Sequence, residues 1–158
     1  MQTVYIETTI PSYLAAHPSS QLSIAADQKM THDWWNNERG RFRLYTSIFT
    51  LDEAGRGDAG AAARRLAYLQ GIPELDIPTE LPRIESDIIR LFQLPPRTAT
   101  DASHLGLAVL HRMDYLLTWN CTHLANASLQ RELMEYCMYH NLHVPIICTP
   151  EALTQSKP

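Results

Sequence analysis

Apolar and polar positions along the chain switch between two periods. Residues 3–6, Thr-Val-Tyr-Ile, are a β-branched and aromatic run that predicts a first strand. The run stops at Glu7-Thr8-Thr9, and Pro11 suits the first turn of a short helix. Residues 22–39 carry Ile24, Met30, Trp34 and Trp35 in a helical pattern, with Gly40 as the closing residue. Residues 42–46 alternate as a second strand, and residues 47–54 read as a helix capped by Ser47 or Thr50. Asp58 caps an alanine-rich helix to about residue 70, ended by Gly71. Residues 75–77 are a weak strand candidate, and residues 81–94 a helix closed by Pro95 and Pro96.

The next stretch holds the most information. Thr98 and Thr100 are N-cap candidates, and Asp101 falls in the first helical turn. Leu105, Ala108 and Val109, with Arg112 one turn on, continue a buried helical face. Residues 115–119 are a short apolar strand that ends in Thr118 and Asn120. Residues 127–141 form another helix. Residues 144–148 form a last strand, which Pro145 assigns to an edge, before one more helical turn at 149–153. Strands alternating with helices predict one α/β domain over residues 1–158, with a mostly parallel, five-stranded sheet between helix layers.

In such sheets the functional cleft lies beyond the carboxyl ends of the strands. Glu7, Glu53, Asp101 and Asn120 all fall after strands or in first turns near that edge. Each has a simpler reading. Glu7 could cap the Pro11 helix, and Glu53 could close a Thr50-x-x-Glu53 capping box. Asp101 could be a first-turn acid and Asn120 a turn residue. Their joint placement is the argument. Three crowded carboxylates raise one another's pKa, and a hard divalent cation such as Mg²⁺ or Mn²⁺ relieves the repulsion through oxygen ligands.

Composition narrows the picture. Hydrophobic residues make up 45% and charged residues 19%, as in a folded globular domain. The net charge of −4 excludes a protein that coats nucleic acid by bulk charge, though not a local basic rim. Of 13 basic residues only Lys29 and Lys157 are lysines, and arginine suits bidentate phosphate contacts. Arg56 and Arg97 neighbour Glu53 and Asp101 and are phosphate-binding candidates. Three unpaired cysteines, no signal-like start and no long apolar run point to a cytoplasmic protein with no membrane span. Cys121, His123, His104 and His111 match no structural zinc spacing, and no glycine-rich phosphate loop occurs. His104, three residues after Asp101, can share its face, with a structural role expected. Trp34, Trp35 and Trp119 are base-stacking candidates; Trp34 and Trp35 are adjacent on one helix and cannot share a face, which predicts one in the core and one at a dimer or partner interface.

At this point the chain resembles a known family. The segments Val4-Tyr-Ile-Glu-Thr-Thr-Ile-Pro-Ser-Tyr-Leu14, Tyr45-Thr-Ser with Glu53 and Gly57-Asp58, Asp101-Ala-Ser-His-Leu-Gly-Leu-Ala108, and Leu116-Leu-Thr-Trp-Asn-Cys-Thr-His-Leu-Ala-Asn126 resemble PIN-domain proteins. The VapC-type toxins of type II toxin–antitoxin pairs are the nearest kin in pattern. The resemblance implies a three-layer α/β sandwich and a metal-dependent ribonuclease site. It maps the metal-binding acids onto Glu7, Glu53 and Asp101, the fourth site residue onto Asn120, and assisting hydroxyls onto Thr9 and Thr118. It also implies an RNA substrate, a protein antitoxin and a homodimer. Three departures stand out: Glu7 where the family usually has aspartate, a neutral Asn120, and His123 where many relatives carry an acid. A second metal would then bind weakly without substrate phosphate. The resulting expectation is hydrolysis of an RNA phosphodiester, with Asn120 orienting a water. The rival expectation is a non-catalytic PIN-like module that binds RNA or protein.

Overall fold

The computed structural model describes residues 1–155. Strand β1 (Thr3–Ile6) is central, with β2 (Arg43–Tyr45) on one side and β3 (Tyr115–Leu117) on the other. Strand β4 (Ile146–Cys148) pairs with β3 and forms an edge, as Pro145 requires. Every pairing is parallel, in the order β2-β1-β3-β4, with Tyr5 opposite both Tyr45 and Leu116.

The sheet has four strands, not five. No strand forms at residues 75–77; a single bridge just before them joins Thr46 to Glu74, made by Thr46 N–H to Pro73 O and Leu75 N–H to Thr46 O. Pro73 lacks a backbone donor, and Pro78 ends the stretch before a ladder can continue.

Helices cover both faces, because strand residues alternate between two cores. Val4, Ile6, Leu117 and Cys148 join the core under α1 (Thr9–Ala15), α2 (Leu22–Asn37) and α4 (Ala59–Leu69). Tyr5, Leu116 and Ile147 join the core under α5 (Leu81–Phe92), α6 (Thr100–Leu110) and α7 (Ala127–Tyr139). Helix α3 (Ile48–Ala54) bridges the two, with Ala54 in one core and Phe49 packed on the other. Residues 102–109 of α6 are all buried, which is why that helix reads as apolar on nearly every face. Gly106 permits its close approach to α5, since a Cβ there would lie 2.7 Å from Leu81 Cδ1.

Several local expectations change. Trp34 and Trp35 are both in the core, at 0% and 5% exposure. Helix α2 is covered on two sides: Trp34 stacks on Phe42 at 5.8 Å and Trp35 meets the edge of Tyr68 at 5.9 Å. No threonine caps α6, because the Thr98 hydroxyl turns back to Pro95 O and Ala99 is the N-cap. Ser47 caps α3 through Phe49 N–H, and Asp58 caps α4 as expected. Residues 150–153 form turns and not a helix.

Candidate functional site

Chain order and sheet order disagree at one place, between β1 and β3, where successive crossovers leave in opposite directions. That crevice is where an open parallel sheet exposes a cleft. Glu7 follows β1, and Thr118 follows β3. Helices α3 and α6 add Glu53, Asp101 and His104.

Glu7 is 4% exposed, yet well satisfied. Its Oε2 accepts from Thr9 N–H at 3.0 Å, Thr9 Oγ1 at 2.5 Å and Thr118 Oγ1 at 2.7 Å. Both hydroxyls are themselves fixed. Thr9 Oγ1 accepts from Trp119 N–H, and Thr118 Oγ1 from Asn120 N–H. The two threonines expected to assist thus clamp Glu7 from β3 and α1. Among the described residues, its Oε1 has no hydrogen-bond partner.

Glu53 follows the same rule. Its Oε1 accepts from Thr8 Oγ1 at 2.8 Å and from His104 Nε2–H at 2.5 Å, and its Oε2 takes no bond among the described residues. The capping box does not form. Thr50 lies inside α3 and sends its hydroxyl to Ile6 O, so the Thr50–Glu53 spacing is coincidental. Asp101 completes the pattern: Oδ2 accepts from Asn120 Nδ2 at 3.2 Å, and Oδ1 is open. Asn120 Oδ1 in turn accepts from His123 N–H. Each of the three carboxylates is pinned through one oxygen and leaves the other available.

His104 is the residue that sequence reasoning undervalued. It is fully buried, with Nδ1 2.7 Å from Tyr5 OH and Nε2 on Glu53. Tyr5 OH also meets Ser47 Oγ at 2.6 Å and Thr50 Oγ1 at 3.3 Å, so a buried polar network backs the site. The signal available was the three-residue offset from Asp101, which puts His104 one turn deeper on α6. Thr8 was the other omission; it sits between two residues whose roles were assigned.

Charge follows from this geometry. Burial works against a charged His104, but Tyr5, Glu53 and Glu7 outweigh it and lift its pKa to about 10. Burial would raise Glu53, but the His104 bond and charge, Thr8 and Arg56 hold it below the usual carboxylate range. Asp101 is pushed up, by burial and then by the Glu7 charge, against His104, His123 and Asn120. The one imidazolium balances part of a three-acid cluster.

Atoms of Glu7, Glu53 and His104 lie within 4.8 Å of one another, the one such group among the described residues. Both ring nitrogens of His104 are already engaged, so the carboxylate oxygens of Glu7 and Glu53 are the ligand atoms the group has to offer. That set fits a hard divalent cation. Asp101, expected as the third ligand, is not a member of this group; it lies outside it, near enough for the Glu7 charge to push its pKa up. Arg56 is exposed at the end of α3, and its charge reaches Glu53. Arg97 is exposed in the short turn before α6 and contacts none of the acids. Cys121 is exposed, and His111 binds Asp76 O, so no cysteine–histidine metal cluster assembles among the described residues.

No protein-family model, curated protein or solved structure matches the chain. No helix among the described residues is long and apolar enough to cross a membrane.

Proposed function

We propose that the chain is a Mg²⁺- or Mn²⁺-dependent endoribonuclease of PIN-like type. The observation that carries the reading is the set of three carboxylates, Glu7, Glu53 and Asp101, each held by one oxygen with the other open. Anchoring through one oxygen also occurs at Asp114 and Glu85; here it recurs at three carboxylates gathered at one strand edge, and groups that orient a carboxylate are what a metal site needs.

A bound divalent ion supplies Lewis-acid stabilisation of the phosphoryl oxygens and a more acidic water. The chain's own residues do the rest. Thr9 and Thr118 fix the reach of Glu7, which offsets the rotational freedom of its extra methylene. His104 and Thr8 fix Glu53, and Asn120 fixes Asp101. Arg56 offers a cation at the rim for a phosphate. Asn120, engaged at both ends of its amide, acts through Asp101.

The family resemblance extends the proposal. On that reading the chain is a cytoplasmic toxin, homodimeric, and restrained by a protein antitoxin that covers the groove beside the acids.

The test is Mn²⁺ titration alongside cleavage of single-stranded RNA. Wild type should bind Mn²⁺ and cleave. Asp101→Ala should lose about 100-fold or more in rate and bind Mn²⁺ correspondingly weakly. Asp101→Ala protein that cleaves as fast as wild type sinks the reading. Wild type that binds no metal at millimolar Mn²⁺ turns it into a non-catalytic binding module.

A further inference from the structure

Beside the carboxylates lies a feature the metal reading does not use. Tyr13 on α1 stacks on Trp119, with ring centroids 5.8 Å apart and planes 12° from parallel. Both are half-buried. The two rings have different duties. Trp119 packs on the core, and its Nε1–H donates to Thr31 on α2. That bond satisfies the indole and ties α2 to the end of β3. Tyr13 makes no such bond among the described residues, and only Trp119 of the pair is packed against the core cluster.

The stack is coupled to the site through a single hydroxyl. Thr9 Oγ1 accepts from Trp119 N–H at 2.8 Å and donates to Glu7 Oε2 at 2.5 Å. Tyr13 lies one turn along α1 from Thr9, and so on the same side of that helix. Trp34 and Trp35 are covered, which leaves Trp119 as the one tryptophan that is not buried.

We propose that the Tyr13–Trp119 stack is a base-binding platform that receives one unpaired nucleobase of a single-stranded RNA next to the bond to be cut. The proposal rests on the ribonuclease reading and names the residues that would seat one base of its single-stranded substrate. Stacking suits this place because every base has a π-face, and a platform of this kind tolerates sequence. The phosphate is left to the carboxylate-held cation and Arg56.

Binding of a 5′-fluorescein hexaribonucleotide to the full chain, with Ca²⁺ as the divalent ion, tests this by anisotropy. Tyr13→Ala should weaken binding roughly 5- to 150-fold, and Tyr13→Phe should stay within about threefold of wild type. An abasic sugar moved along the hexamer should weaken wild type at one position, and that penalty should vanish in Tyr13→Ala. Equal affinity of Tyr13→Ala and wild type, or an abasic penalty that persists in the variant, overturns the platform while leaving the nuclease intact. Wild type that binds no RNA overturns both. Mn²⁺ affinity equal to wild type certifies the fold of Tyr13→Ala; if it is lost, Tyr13→Leu, which keeps apolar contact with Trp119, carries the same comparison.

Discussion

Asp87 and Glu53 are both helix carboxylates that accept from a ring-bearing side chain, and they end in opposite states. Asp87 on α5 takes Tyr136 OH on Oδ2 at 2.6 Å and Arg90 Nη2 on Oδ1 at 2.8 Å. Both its oxygens are used. Glu53 takes His104 and Thr8 on one oxygen and leaves the other free. Asp87 lines a cleft of about 470 Å³ between α5 and α7, which shares no residue with the carboxylate cluster. Volume alone does not mark a site. The α5–α7 cleft is a groove whose acid is spent latching two helices, whereas the β1–β3 crevice holds three acids with capacity left over.

The sharpest way to probe the difference is to remove the charge partner inside the crevice. Glu53→Gln leaves the His104 imidazolium buried without a carboxylate, and should cost about 3 kcal/mol of stability, read by denaturant unfolding. The pH profile of the metal-free wild type carries the same information. His104 is raised to about 10, so its contribution is full below the ordinary imidazole value and is lost as pH rises through about 10. Glu53 is lowered, so its contribution is present above the ordinary carboxylate value and is lost as pH falls through the folded one. Stability should therefore decline from neutral toward pH 10 in wild type and more shallowly in Glu53→Gln. Parallel profiles would mean the pair does not hold the charge described.

How far the chain could be read beforehand follows from the same residues. Glu7, Asp101 and Asn120 were legible because strand ends and first turns can be placed from periodicity, and parallel topology sends those positions to one edge. Which oxygen each threonine serves was not legible. Thr8 and Thr9 are adjacent, and the turn between β1 and α1 decides that one reaches Glu53 and the other Glu7. His104 was underrated because a histidine among apolar neighbours is usually a core residue, and its partners Tyr5 and Glu53 lie 99 and 51 residues away. The fifth strand failed for a backbone reason, the prolines at 73 and 78, and the tryptophan assignment failed because α2 is packed on two sides.

A smaller effect separates aiming from mere presence. Thr118→Val removes one of three donors to Glu7 Oε2 while keeping shape in a fully buried position. Glu7 remains, held by Thr9 alone. A charged acceptor losing one hydrogen bond should cost about 1.5 kcal/mol, and Mn²⁺ affinity should fall about tenfold, as for other residues that orient a ligand. Isothermal titration reads the second number. Unchanged Mn²⁺ affinity with lowered stability would show that the clamp serves the fold and not the cation.

The least disruptive change tests the other half of the comparison. Tyr136→Phe deletes the phenol that donates to Asp87 and leaves Arg90 in place. Tyr136 raises no charge of its own near neutrality, because burial and the Asp87 bond push its pKa up. Asp87 is held below the usual range chiefly by that same bond, and Arg90 contributes from a largely exposed side chain. The loss should be about 1 kcal/mol in unfolding free energy, the ordinary worth of one partly buried hydrogen bond. RNA cleavage and Mn²⁺ binding should match wild type. If Tyr136→Phe instead lost cleavage on the scale expected for Asp101→Ala, a fully satisfied carboxylate would have proved functional, and half-free oxygens would no longer distinguish the working crevice from the latch.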